Sequence, residues 1–369
     1  MQAPASDDPP VRLPTIPELG REAETLRRGF ARRGAMAVLC LDLRDLVVVE
    51  RRQGAEAWRQ VLGRVADRLH QQLAGHLEPD DRVVLGEIGE SELLVLMLRA
   101  RDDAGFLRDE LPGLARDLER HLAPPGNRLA YPFVRDALRI FVGSAVVFHD
   151  PLVRPERALQ HACALAREDA RLAARLAARA RREALVDLML RGRLAIALEP
   201  IVELGDRRPM GWEALVRGPS RSELASPRAL FGAAEEGDLT FELDCRCRAA
   251  ALDAAKRLPA GARLFVNCLP SAIHDPAFQG HALRENLQAR GLQPSDVVFE
   301  ISEAESISNW EIFREVCDHY AGLGFGIALD DVGAGYGSLE AVAELRPDYM
   351  KVDLAFVRGI DADPARQEV

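Results

Sequence analysis

Runs of apolar and polar residues change period several times along the chain, and each change marks an element. Residues 1–17 are proline-rich and polar, and 18–33 carry a short charged helical pattern, so 1–34 reads as a tail and helix. Seven apolar residues in a row before Asp42 mark a buried strand over Ala35–Leu43. Over 55–74 the apolar positions Trp58, Val61, Leu62, Val65, Leu69 and Leu73 recur at helical spacing. Strand signals at Arg82–Leu85 and Leu93–Leu98, a helix over 104–122 and a strand over 138–148 complete an α/β domain spanning 35–155. A long helix follows over 156–190, rich in alanine, arginine, leucine and glutamate, and makes 156–192 a linker. Its apolar stripe is mostly alanine, which suits a solvated linker and a stalk or homodimer seam equally.

From Arg193 onward the pattern becomes short apolar strands, each ending in a polar residue and separated by helices. The strand ends are Glu213, Asn267, Glu300, Asp330 and Lys351, at intervals of 54, 33, 30 and 21 residues. A βα unit takes roughly 30 residues, so 193–369 has the rhythm of a parallel (β/α) barrel of the TIM type. In such barrels chemistry collects at the carboxyl ends of the strands.

Taken singly, each of these polar residues is best read as a cap or a surface group. Five in succession ask for a shared purpose. Carboxylates gathered in one mouth repel one another and need a cation to stay ionised. Ligands from Glu213, Asn267, Glu300 and Asp330, with no histidine, suit Mg²⁺ or Mn²⁺ rather than zinc. The adjacent Asp330 and Asp331 allow one to bridge two ions while the other holds the second, an arrangement that serves in-line displacement at phosphorus.

Composition sharpens one of these positions and excludes several functions. Of the 48 basic residues only Lys256 and Lys351 are lysines, so a lysine at a strand end argues for a compact ammonium. A net charge of −10 argues against a nucleic-acid polymer or an anionic membrane surface as partner. No apolar run approaches the ~18 residues of a membrane span, and the amino terminus lacks the features of a signal peptide. Six cysteines in 369 residues make no disulfide framework, and a reducing cytoplasm is the expected location.

The segment Leu198–Phe356 resembles an EAL domain, through Glu213-Ala214-Leu215, Phe265-Val266-Asn267, Phe299-Glu300-Ile301-Ser302-Glu303, Asp330-Asp331-Val332-Gly333-Ala334-Gly335-Tyr336 and Lys351-Val352-Asp353. The resemblance implies hydrolysis of cyclic-di-GMP to the linear dinucleotide with two metal ions. It would place one ion on Glu213, Asn267, Glu300 and Asp330, and the second on Asp330 and Asp331. Lys351 and Asp331 would be catalytic, with Lys351 contacting the attacking water. Arg217 would clamp a substrate phosphate beside Leu215, and Glu199, next to Pro200-Ile201, stands where the family has a glutamine facing the substrate. A TIM-like barrel takes ~250 residues, whereas 177 remain from Arg193. The barrel is therefore expected to be incomplete at the C-terminus, and this stretch by itself inactive. A receptor that binds cyclic-di-GMP without turnover, or a dimerising scaffold, is the alternative.

Residues 35–155 resemble, more weakly, a GGDEF domain whose chemistry is erased. Leu41-Asp42-Leu43 matches the metal strand, and Gly54 falls at the family's spacing after it. Glu50 and Arg51 replace the guanine-reading pair, and the signature turn reads Gly89-Glu90-Ser91-Glu92-Leu93. A carboxylate set against a triphosphate is repulsive, so a regulatory role without cyclase activity is expected.

Overall fold

The computed structural model describes residues 16–86, 91–124, 126–134, 137–259, 261–302, 310–333, 345–363 and 367. Gly89, Glu90, Glu303 and the Ala334–Tyr336 part of the double-aspartate loop thus lie outside the described residues. The chain divides into two units, Met1–Ala177 and Ala178–Val369. No described helix is long and apolar enough to cross a membrane.

In the first unit the central strand is β1, Gly34–Asp42, which is buried almost throughout because helices cover both of its faces. It pairs antiparallel with β3 (Glu92–Ala100) and β4 (Phe141–Phe148), and β2 (Arg82–Leu85) completes the order β2-β3-β1-β4. Ala37, Leu39 and Leu41 pack with α2 (Leu46–Leu73) and α3 (Leu111–Leu122). Met36, Val38 and Cys40 pack with α1 (Leu19–Arg33) and the start of α4 (Pro155–Leu190). Burial on both faces is why β1 reads as an unbroken apolar run instead of an alternation. The second helix begins at Leu46, earlier than the pattern from residue 55 predicts. Gly54 breaks it with φ 84° and ψ 172°, a conformation open to glycine, and the helix resumes beyond it.

The second unit contains a six-stranded sheet, ordered β10-β9-β8-β7-β6-β5. Its strands are β5 Ala195–Val202, β6 Pro209–Arg217, β7 Arg263–Asn267, β8 Val297–Ser302, β9 Gly326–Val332 and β10 Tyr349–Val352. Strands β6 to β10 run parallel, as the βα rhythm predicts. Strand β5 departs from an all-parallel barrel and pairs antiparallel with β6. The reason is length: a parallel neighbour needs a crossover of a dozen or more residues, and only 203–208 lie between them.

Side chains alternate across this sheet. Leu264, Val266, Val297, Phe299, Ile301 and Ile327 face α6 (Thr240–Ala254), α7 (Gly280–Gln288) and α8 (Trp310–Gly322) and form the core. The opposite face carries an apolar floor of Phe265, Val298 and Ala328, against which Ile201 and Tyr349 pack. Gly211 belongs to this floor. A Cβ there would come within 2.6 Å of the Phe265 ring, so the strand needs a residue without a side chain. Helix α5 (Pro227–Glu236) starts at Ser226, whose Oγ accepts from Ala229 N at 3.2 Å, and it packs with Leu185, Leu188 and Met189 of α4.

Candidate active site

One pleat beyond the apolar floor, the same face turns polar. On β6 the residue after Gly211 on that face is Glu213; on β7 Phe265 gives way to Asn267. On β8 Val298 gives way to Glu300, on β9 Ala328 to Asp330, and on β10 Tyr349 to Lys351. Period-2 alternation therefore delivers five polar side chains from five neighbouring strands to one layer.

They meet. Lys351 Nζ lies 2.9 Å from Glu300 Oε1, 3.0 Å from Glu213 Oε2 and 3.3 Å from Asp330 Oδ2. Asn267 Nδ2 donates to Glu213 Oε1 at 3.4 Å and to Glu300 Oε2 at 3.3 Å, which fixes the carboxamide between two acids. Glu300 is fully buried, while Glu213, Asp330 and Lys351 are partly open. Burial above all, and then the charge of Glu213, pushes the Glu300 carboxyl up to about 8, with Lys351 pulling the other way. For Lys351, burial works against the ammonium, but Glu300, Asp330 and Glu213 outweigh it and hold the amine well above its ordinary value.

Charge and span test whether a metal fits. Glu213, Glu300 and Asp330 each offer an oxygen, all within 4.8 Å of one another. Oxygens on opposite sides of an ion bound at ~2.1 Å stand ~4.2 Å apart, so a modest contraction suffices. Three carboxylates against one ammonium leave two negative charges uncompensated, the amount a divalent cation neutralises. An all-oxygen donor set of this kind could hold a hard divalent ion.

The remaining sequence candidates stand around this cluster and not in it. Asp331 follows with φ 58° and donates its backbone N–H to Asp330 Oδ1 at 2.9 Å. Partial burial, and then Asp330 and Asp353, push its carboxyl up. Asp353, quoted with the lysine motif but given no role there, is thereby drawn into the site's electrostatics. Leu215 is the next residue on the Glu213 face, and Arg217 lies ~13 Å along β6 from Glu213, at ~3.3 Å per residue. Arg217 is half-buried and donates from Nη1 to Val216 O at 2.9 Å. Glu199 on β5 is the register partner of Glu213, so an exposed carboxylate stands directly opposite a clustered one. A cavity of about 450 Å³ beside the cluster is lined by Glu213, Leu215, Asn267 and Glu300, by Ser302, quoted in the second glutamate motif without a role, and by Phe231, which no motif singled out. Ser302 is two residues past Glu300 on the same face, so strand alternation alone points to it.

Comparison with known proteins places this arrangement. The sequence matches the EAL domain family over residues 179–369, just over half of its length. The chain belongs to the EAL-domain family. Among its EAL-family relatives is PdeG of Escherichia coli strain K12, named a probable cyclic di-GMP phosphodiesterase. PdeG is 31% identical over 180 residues, covering 47% of this chain and 35% of PdeG. The cyclic di-GMP phosphodiesterase NbdA of Pseudomonas aeruginosa is 25% identical over 349 residues, covering 90% of this chain and 43% of NbdA. This chain thus spans less than half the length of either relative. The EAL domain of FimX from Xanthomonas citri, solved in complex with c-diGMP, aligns at a TM-score of 0.47 with 22% identity, over 53% of this chain and 78% of that one.

Proposed function

We propose that the second unit is a cyclic-di-GMP phosphodiesterase of (β/α) barrel type, and that the first is a GGDEF-type domain without cyclase activity. The observation that carries the enzyme reading is the convergence of Glu213, Glu300 and Asp330 on the Lys351 ammonium, with Asn267 bridging Glu213 and Glu300. The names of PdeG and NbdA support it. Glu213, Asn267, Glu300 and Asp330 would hold one Mg²⁺ or Mn²⁺, and Asp330 with Asp331 a second. Such ions would polarise a phosphate oxygen and lower the pKa of water at the scissile bond.

What the chain's own residues do can be derived further. Lys351 stays protonated and acts as a donor, not a base. All three of its N–H groups have an acid within reach, so it can orient an attacking water only by releasing one. The contact to Asp330, the longest at 3.3 Å, is the one most readily released. Asn267 holds Glu213 and Glu300 against their mutual repulsion. Arg217 offers a planar fork of donors to a phosphate, and the Leu215 side chain keeps water from the adjoining space.

Two ion pairs support the reading of the first unit. Asp42 and Glu92 face each other across β1 and β3. Arg44 donates to both oxygens of Asp42, at 2.9 and 2.8 Å from Nε. Arg167 reaches both oxygens of Glu92, at 2.8 and 2.6 Å. Both acids are thus neutralised by guanidinium groups of the chain itself.

The test is release of linear dinucleotide from cyclic-di-GMP by full-length protein in Mg²⁺ or Mn²⁺, with Asp330→Asn as control. Metal-dependent turnover that the variant loses, with its circular dichroism unchanged, is the expected result. Binding without turnover moves the assignment to a receptor, and absence of both overturns it.

A further inference from the structure

Arg248 has no exposure to solvent, and the chemistry above makes no use of it. It lies on α6, whose Ala251 and Leu252 pack on Leu264 and Val266, the face of β7 opposite to Asn267. Its guanidinium forms ion pairs with Asp244, one turn earlier on the same helix, and with Asp275, 2.8 Å from Nη2. It also stacks on the Phe278 ring at 4.6 Å from the centroid. A buried ion network is weak evidence for stability, since packed apolar residues often serve as well or better. Its partners indicate another use.

Asp275 and Phe278 lie at the far end of the segment that leaves β7 directly after Asn267. Asp275 accepts from Arg248 and, through Oδ1, from Ala277 N at 2.9 Å, so one side chain joins α6 to the turn at Pro276–Phe278. At the near end, Cys268 N donates to Glu300 O at 2.9 Å. The Phe278 ring lies 6.2 Å from that of Phe299, the residue before Glu300. Contacts from a single guanidinium therefore reach the neighbourhoods of two site residues from behind the sheet. An apolar side chain would fill the same space, but its contacts are non-directional, whereas a guanidinium that meets Asp244 with Nη1 and Asp275 with Nη2 sets where the segment sits against α6.

We infer that Arg248 is a positioning residue: through Asp275 and Phe278 it pins residues 268–278 and thereby fixes Asn267 and Glu300 in the site. The consequence for metal affinity rests on the proposed function, while the pinning does not. The test is the triple variant Arg248→Met, Asp244→Leu, Asp275→Asn, which leaves no carboxylate unpaired and keeps an acceptor for Ala277 N. Arg248→Lys, which keeps the charge and loses the fork, is the conservative partner.

Two readouts are taken on full-length protein whose circular dichroism matches wild type. Hydrogen exchange of peptides covering 268–278 should be faster in the triple variant and intermediate in Arg248→Lys. Mn²⁺ affinity should fall about tenfold or more, the range found when groups supporting metal ligands are lost. Unchanged exchange in the folded triple variant overturns the pinning. Faster exchange with unchanged Mn²⁺ affinity overturns the positioning role and leaves Arg248 a structural residue. If wild-type protein takes up no Mn²⁺, the metal reading fails and exchange alone decides the pinning.

Discussion

Protonation and metal binding should compete at Glu300. Its carboxyl, buried beside Glu213, is pushed up to about 8 from an ordinary 4.5. Without a cation, the acid cluster keeps a proton at neutral pH that an exposed glutamate would have lost, and Glu300 is the site that burial favours for it. A divalent ion taking Glu300 as a ligand must expel that proton. The structure therefore predicts release of close to one proton per ion at pH 7, falling towards none as the pH rises well above 8. Affinity should rise about tenfold between pH 6 and pH 7 and level off above pH 8.

The same group has a defined effect on metal-free stability. Its folded-state pKa lies above its unfolded value, so from about 4.5 upward the unfolded chain sheds the proton while the folded chain retains it. Stability therefore falls by ~1.4 kcal/mol per pH unit across that window, and this contribution stops changing above about 8. Calorimetric titration with Mg²⁺ in two buffers of different ionisation enthalpy counts the protons directly. Glu300→Gln should abolish most of the release. Normal Mg²⁺ binding with under ~0.2 proton released at pH 7 would refute the burial argument.

Three further outcomes are expected. Lys351→Arg should lower turnover at saturating cyclic-di-GMP by ~100-fold, because a planar guanidinium cannot occupy one point about 3 Å from three acids; binding measured in Ca²⁺ should persist, and unchanged turnover would reduce Lys351 to a structural charge. Gly211→Ala should destabilise the second unit by ~1–3 kcal/mol in chemical denaturation, since the new Cβ meets the Phe265 ring and the Arg263 carbonyl. Purified protein given GTP and Mg²⁺ should form no cyclic-di-GMP, because Arg44 and Arg167 already hold Asp42 and Glu92; any Mg²⁺-dependent product would contradict this.

Much of this protein is written in local pattern. The strands of the first unit follow from apolar runs at Ala35–Leu43, Arg82–Leu85, Leu93–Leu98 and 138–148, because strand-length burial leaves its mark within a few residues, whereas their antiparallel pairing is set by the fold. The site layer was legible in the same way. Asn267, Glu300, Asp330 and Lys351 each follow an apolar run, Glu213 interrupts one from within β6, and such a polar break is a local property. What each residue meets there is not. Strand register decides that Glu300 is buried while Asp330 stays partly open, and only together do the acids raise both the Glu300 carboxyl and the Lys351 amine. The reversal of β5, which sets Glu199 opposite Glu213, depends on the length of a link and not on the pattern of the strand. Arg248 is the clearest case. On the helical pattern of 240–254 it is one more arginine in an arginine-rich chain, since nothing within a helical turn reveals burial. Its partner Asp275 and the Phe278 ring beneath it come from another element, so only the packing of α6 against the segment after β7 makes it a buried charge with something to hold.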